Sequence, residues 1–238
     1  GLMHPEATTC FGDNFGDFCQ EPILVDDRIE WRPAASQSLD TDILTTPKTP
    51  FSTNGGVKLL EGNLGRCVIK TSAVDASHHV VEAPAVVIDD QDDLRPLFEA
   101  GELDRDCVVV VRFQGPAANG MPELHKLTPM LGVIQDRGFK VALVTDGRMS
   151  GASGKVPAAI HLVPEASQGG LLAQLKTGDV IRLDATTGVL SALVDATDLE
   201  RRVVSVAPAP RGTVGRILFN NSRQAVSSAA EGASSLFN

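Results

Sequence analysis

Long apolar runs are missing from this 238-residue chain. No stretch reaches the roughly 20 apolar residues that a membrane-spanning helix needs, so no membrane partner is expected. The opening residues, GLMHPEATTC, carry neither a basic stretch nor an apolar core. That argues against a secretory signal, and a start at Gly1 without Met reads as a cut end. Cysteine is scarce, with four residues (Cys10, Cys19, Cys67, Cys107) and no CxxC spacing. The pattern speaks against a disulfide frame or a zinc site and suits reduced thiols in a cytoplasmic protein. Cys107 opens the apolar run VVVVRF and is expected in the core, while Cys10 and Cys19 alone make an incomplete metal-ligand set. Basic charge is in deficit: 21 Lys and Arg face 30 Asp and Glu, a net charge of -9. A nucleic-acid or anionic membrane-surface partner is therefore not expected. An anionic small substrate stays open, because a local basic cluster can override the mean field. No internal repeat is present.

The hydrophobic and charged fractions, 42% and 21%, are those of an ordinary soluble domain long enough to bury a substantial core. Residues 1–55 are rich in Gly, Asp, Pro and Thr, with one short strand candidate at Pro22–Val25. They read as an irregular arm or interdomain linker whose Phe11, Phe15, Phe18 and Trp31 need a surface to bury them. Residues 56–238 form the second expected domain. Its strand candidates are 57–60, 66–71, 85–88, 107–113, 140–145, 160–163, 179–183 and 189–194. Helices are expected at 91–100, 122–137 and from 215 to about 228. Asp89 and Asp90 suit the first helix's N-terminal end and Gly101 its stop. Many strands with few helices predict an α/β fold in which a β-barrel or sandwich is decorated by helices, not a doubly wound sheet. The tail, AVSSAAEGASSLFN, is expected to fray.

The most informative stretch is TDGRMSGAS, Thr145 to Ser153, which leaves the apolar run 140–144 and carries Gly147, Gly151 and Gly154 around Ser150. A Gly-rich loop leaving a buried strand can hold a polar side chain against a ligand. Upstream, residues 107–145 read strand, loop, helix, strand. Met121, Leu124, Leu127, Leu131 and Ile134 recur at spacings of three and four, giving the helix one apolar face. Pro122 suits its first turn, Pro129 should kink or split it, and Gly138 can end it. Such a crossover joins parallel strands, so both loops emerge at one sheet edge, where α/β domains bind ligands. One loop brings Glu123, His125 and Lys126, the other Asp146, Arg148, Ser150 and Lys155.

Each residue also has a structural reading. Glu123 can complement a helix dipole, His125 and Lys126 can form a solvated face, and Asp146 can cap a turn. Arg148 can pair with a carboxylate for structure, and Ser150 can simply be small. His161 reads as a core histidine, and His78–His79 as a turn outside the site. Two catalytic motifs fail. A P-loop would need Gly at Met149 and a hydroxyl at Val156, and a serine-hydrolase elbow would need Gly at Arg148 and Ala152.

Four segments carry a family resemblance: LEGNLGRCVIKTSAV (60–74), EAPAVV (82–87), AGELDRDCVVVVRFQGPAANGMPELHKL (100–127) and VALVTDGRMSGASGKVPAAIHLVPEA (141–166). From about Glu21 through the C-terminal helix, the chain resembles the C-terminal part of the dihydroxy-acid and phosphogluconate dehydratase family. GMPELHKL and SGASGKVP look like its phosphogluconate branch. The resemblance implies a barrel-like swivelling β/β/α domain that closes over an iron–sulfur cluster, [4Fe-4S] or [2Fe-2S]. The cluster's cysteines would lie in a larger N-terminal domain that this chain does not contain. It implies a hydro-lyase of the Entner–Doudoroff pathway that takes water from 6-phospho-D-gluconate to give 2-dehydro-3-deoxy-6-phosphogluconate. Ser150 would be the base and Glu123 a ligand to Mg2+. His125, Lys126, Arg148 and Lys155 would suit the substrate's carboxylate and phosphate. A homodimer is implied as well. Two alternatives stay open: a ligand-binding module without activity by itself, and a dehydratase for an unphosphorylated sugar acid or dihydroxy acid.

Overall fold

Valine-rich runs bounded by Gly, Asp and Pro become strands because β-branched side chains pack well on a pleated surface. The computed structural model describes residues 4, 6–10, 12, 14–150, 154–209 and 212–236. Two units are distinguished, Gly1–Thr53 and Asn54–Asn238. The first holds an antiparallel hairpin, β1 (Gln20–Val25) and β2 (Arg28–Pro33). Asp26 and Asp27 both adopt left-handed backbone at its tip, as a tight two-residue hairpin turn requires. Only the first of these strands was expected; β2 alternates polar and apolar residues from Arg28 to Pro33, yet it is exposed along its whole length. Trp31 is 63% exposed and Phe18 half exposed, and Phe11 lies outside the described residues.

In the second unit eight strands close into a barrel. They are β3 (Val57–Gly62), β4 (Gly65–Lys70), β5 (Val80–Ile88), β6 (Cys107–Val111), β7 (Val141–Thr145), β8 (Ala158–Val163), β9 (Val180–Asp184) and β10 (Val189–Ala192). The order around the barrel is β10-β3-β4-β8-β7-β6-β5-β9. Strands β5 to β8 run parallel, and β4, β9 and most remaining contacts are antiparallel. The expected mixed α/β barrel with flanking helices is therefore the observed fold.

Strands β6 and β7 are buried at every position. Their alternate residues point into different cores, which explains their unbroken apolar sequence. Val108, Val110, Ala142 and Val144 fill the barrel with Leu60, Ile69 and Leu183. Cys107, Val109, Val111, Val141 and Leu143 face an outer layer with helices α1 (Leu94–Glu99) and α3 (Leu127–Asp136). The short helix α2 (Pro116–Asn119) follows β6. Asp90 caps the turn before α1 through a capping box, and Gly101 follows its end with φ +74°.

Four sequence expectations need correction. The helix expected from Pro122 begins at Leu127, because Met121 is left-handed (φ +51°) and Glu123 bridges Arg148 in parallel. That pairing prolongs the strands before the helix starts, so Glu123 sits on no helical turn. Pro129 is the third residue of α3, where a backbone N–H has no intrahelical acceptor, and it splits nothing. The C-terminal helix is two short pieces, α5 (Val214–Leu218) and α6 (Asn220–Gln224), preceded by α4 (Ala196–Arg201). The tail folds back as well: Ser228 and Glu231 form a capping box, and the Ser227 N–H donates to Ser234 O.

Candidate active site at the barrel edge

The parallel strands β6 and β7, paired from Cys107↔Val141 to Val111↔Thr145, release their following loops at the same edge. Gly147 lets these loops touch, because a Cβ there would stand 2.7 Å from Gln114 Cβ and 3.0 Å from Leu124 Cδ1. The side chain of Glu123 then joins the two motifs. Its Oε2 accepts from Arg148 Nη1 at 2.8 Å and its Oε1 from the Ser150 backbone N–H at 2.6 Å. Arg148 Nε donates to Met121 O at 2.8 Å. One carboxylate thus fixes both the arginine and the serine of the Gly-rich loop. Gly151, Ala152 and Ser153, the rest of that motif, lie outside the described residues.

The other basic candidates are engaged elsewhere. Lys126 pairs with Asp92 at 2.8 Å. Lys155 pairs with Asp136 in the last turn of α3, the far end of a ten-residue helix about 15 Å long by its rise per residue. His125 is exposed, in the link between Glu123 and α3. The structure thus gathers Glu123, Arg148 and Ser150, sets His125 and Lys126 beside them, and takes Lys155 away.

Beneath the loops lies a buried acidic anchor. Asp146 is fully buried, accepting from the Gln114 N–H at 2.8 Å and the Ala166 N–H at 2.9 Å. Burial pushes its carboxyl up to about 6 against the pull of those N–H donors, and nearby Glu165 adds to the rise. Glu165, also buried, accepts from the N–H groups of Ala117 and Ala118 in the first turn of α2. Asp146 therefore holds loops together rather than facing a ligand.

Sequence reasoning set His161 aside, yet the structure places it beside the site. The β4–β8 register shifts between Arg66↔Val163 and Val68↔Ile160, so β8 carries one extra residue there. His161 takes φ +58° in that bulge, and its N–H donates to Gly147 O at 2.9 Å. Burial, with the Arg148 charge, holds its imidazole below the ordinary value. Phe113 and Met121 are also left-handed, so three of the strained non-glycine residues border these loops. Bulges and strain of this kind re-aim side chains at functional edges. A cleft of about 450 Å³ opens alongside, between Asp89–Asp92, Gln114, Lys126, residues 207–209 and Arg216. Arg112 anchors it through Asp89 at 2.7 Å and Ser205 Oγ at 2.8 Å. Among the described residues, no group of three or more His, Cys, Asp or Glu is placed to hold a metal.

An α/β barrel domain, with a polar cluster at the carboxyl edge of its parallel strands, is thus the class defined by fold and geometry. Residues 42–233 match the family model described as dihydroxy-acid/6-phosphogluconate dehydratase C-terminal, and the chain belongs to that family. It is 58% identical over 99% of its length to a phosphogluconate dehydratase of Pseudomonas aeruginosa and 54% identical over 98% to one of Escherichia coli K12. A dihydroxy-acid dehydratase of Wolinella succinogenes is 35% identical over 98%. The chain spans 39% of the length of each of these relatives.

Proposed function

We propose that this chain is the C-terminal domain of a phosphogluconate dehydratase, a hydro-lyase acting on 6-phospho-D-gluconate. The observation that carries the reading is Glu123 binding both Arg148 and the Ser150 N–H at the edge shared by two family motifs. The relatives add weight: those named phosphogluconate dehydratase reach 58% and 54% identity, against 35% for the dihydroxy-acid dehydratase.

In the proposed reaction ionised Ser150 takes the C2 proton, the C3–O bond breaks, and the departing hydroxide takes up that proton to leave as water, so Ser150 is ionised again and the resulting enol tautomerises to the 2-keto acid. A serine hydroxyl is a base only when ionised, which positive charge nearby favours. The Arg148 guanidinium, held on the same carboxylate as the Ser150 amide, supplies some of that charge. Glu123 has the hard oxygen donors that Mg2+ prefers, and it would hold such an ion as one ligand among several from outside this chain. A divalent ion there would add positive charge beside Ser150.

The described residues do not fit an iron–sulfur cluster. Cys67 and Cys107 are buried in the barrel wall, and burial pushes their thiols up to about 12 and about 11. Thiolate ligands are disfavoured there. Cys10 and Cys19 are exposed in the first unit and supply too few ligands. The cluster belongs, in this proposal, to the part of the relatives that this chain does not span.

Anaerobic turnover of 6-phosphogluconate by the 238-residue chain, the full-length protein and its Ser150→Ala variant tests the reading. Only the unsubstituted full-length protein should be active. Full turnover by Ser150→Ala would remove the base assignment, and turnover by the chain alone would overturn the composite site.

A further inference from the structure

Three arginines converge on one tight turn, Asn119–Met121. Gly120 and Met121 are both left-handed there, at φ +72° and +51°. Arg148 Nε donates to Met121 O, and Arg216 Nη1 donates to Asn119 O at 3.3 Å. The stem of Arg223 lies over Gly120, with its Cδ 3.7 Å from where a Cβ would stand. Arg223 Nη2 donates to Arg216 O at 3.0 Å and to Asn220 Oδ1 at 3.4 Å. Bringing like charges together costs free energy, more so where their acceptors are mostly neutral carbonyls.

A groove of about 440 Å³ opens between two of these arginines, lined by Gly120, Met121, Arg148, Ser222, Arg223 and Ser235 among others, with no carboxylate in its described wall. The neighbouring cleft, by contrast, is lined by Asp89, Asp90 and Asp92. In the groove donors are left over. A guanidinium has five N–H groups. Arg148 uses Nε and one Nη1 N–H, and Arg223 uses Nη2 alone. Among the described residues, Arg148 Nη2 and Arg223 Nε and Nη1 have no partner. Two forks and two hydroxyls around a carboxylate-free hollow suit a dianionic, tetrahedral group. Lys126 and Lys155 pair with Asp92 and Asp136 and do not line this groove, whereas Arg148, although paired with Glu123, lines it.

We propose that Arg223, with Arg148, binds the phosphate of the substrate. This makes the C-terminal segment the element that selects a phosphorylated sugar acid over an unphosphorylated one. Arg148 links the two parts of the site, since it reaches Glu123 on one side and lines the groove on the other. The inference rests on the dehydratase reading for its substrate and on the groove for its geometry.

Titration calorimetry of the full-length protein with 6-phosphogluconate, gluconate and inorganic phosphate tests it, alongside kcat/KM for the two sugar acids. Arg223→Gln should weaken 6-phosphogluconate and phosphate binding by about tenfold to a hundredfold, the worth of a charge-assisted contact. Discrimination against gluconate should fall by the same factor, through KM more than kcat. Arg223→Lys should fall between, since an ammonium keeps the charge but not the fork. Unchanged discrimination in Arg223→Gln overturns the inference and leaves the dehydratase reading standing. Arg223-dependent phosphate binding by a protein that never dehydrates 6-phosphogluconate sinks that reading and supports the phosphate site.

Discussion

Replacing Asp146 by asparagine probes the buried anchor under the site, and the direction of its effect follows from burial. In the folded protein the carboxyl titrates at about 6 instead of the ordinary 3.8, mainly because ionising it inside the barrel edge removes hydration. Well below about pH 4 it is protonated in both folded and unfolded chains, and the stability tied to its neutral form is fully present. As pH rises, the unfolded chain ionises first, so that stability is lost as pH passes through the folded value. At about 1.4 kcal/mol per pH unit between the two titrations, the loss by pH 7.5 is about 3 kcal/mol. Asparagine has no such titration. It sets an NH2 donor against one of two backbone donors, Gln114 or Ala166, at a cost of about 1–3 kcal/mol that does not vary with pH. Urea unfolding of the wild-type and Asp146→Asn chains from pH 4 to 8 measures the difference directly. The variant's relative stability should improve by about 2.5 kcal/mol from pH 4 to pH 7.5, since part of the loss has already occurred at pH 4. A difference that stays flat would show that Asp146 titrates normally when folded, and the desolvation argument would fail.

Other outcomes are equally specific. A thiol reagent at pH 8 should modify the exposed Cys10 and Cys19 quickly, whereas Cys67 and Cys107 should react only after unfolding; four fast thiols would contradict the burial argument. Gly147→Ala should cost about 1–3 kcal/mol by overpacking, because Gln114 is held by Asp89 O, Arg112 O and Asn119 and cannot give way. Gly132→Ala, in the middle of α3 with open space for a Cβ, should instead stabilise by up to about 1 kcal/mol, and the two melting temperatures should move in opposite directions.

The sequence and the structure agree best where the signal is local. All eight barrel strands lie at or near their expected positions, because runs such as 107–111 and 141–145 combine β-branched side chains with flanking Gly, Asp or Lys. The convergence of Glu123 with Arg148 and Ser150 was legible too, since a helical crossover of that length leaves two parallel strands with their loops at one edge. The start of α3 was less legible. Apolar spacing continues back to Met121, but a strand-like bridge to Arg148 captures residues 121–124 first, and that competition is between segments far apart in sequence.

By itself, the sequence determined the strands of an α/β barrel or sandwich, the two motifs that leave them and the acidic background against which any basic cluster stands out. Those features depend on neighbouring residues and on periodicity. Only the tertiary structure decided which charges are spent. Lys126 and Lys155 are neutralised by Asp92 and Asp136, His161 reaches the edge through a bulge set by its register with β4, and Arg223 meets Arg148 because the C-terminal segment folds over Gly120. Pairing, register and chain return are properties of contacts between distant segments, and no local pattern of residue types encodes them.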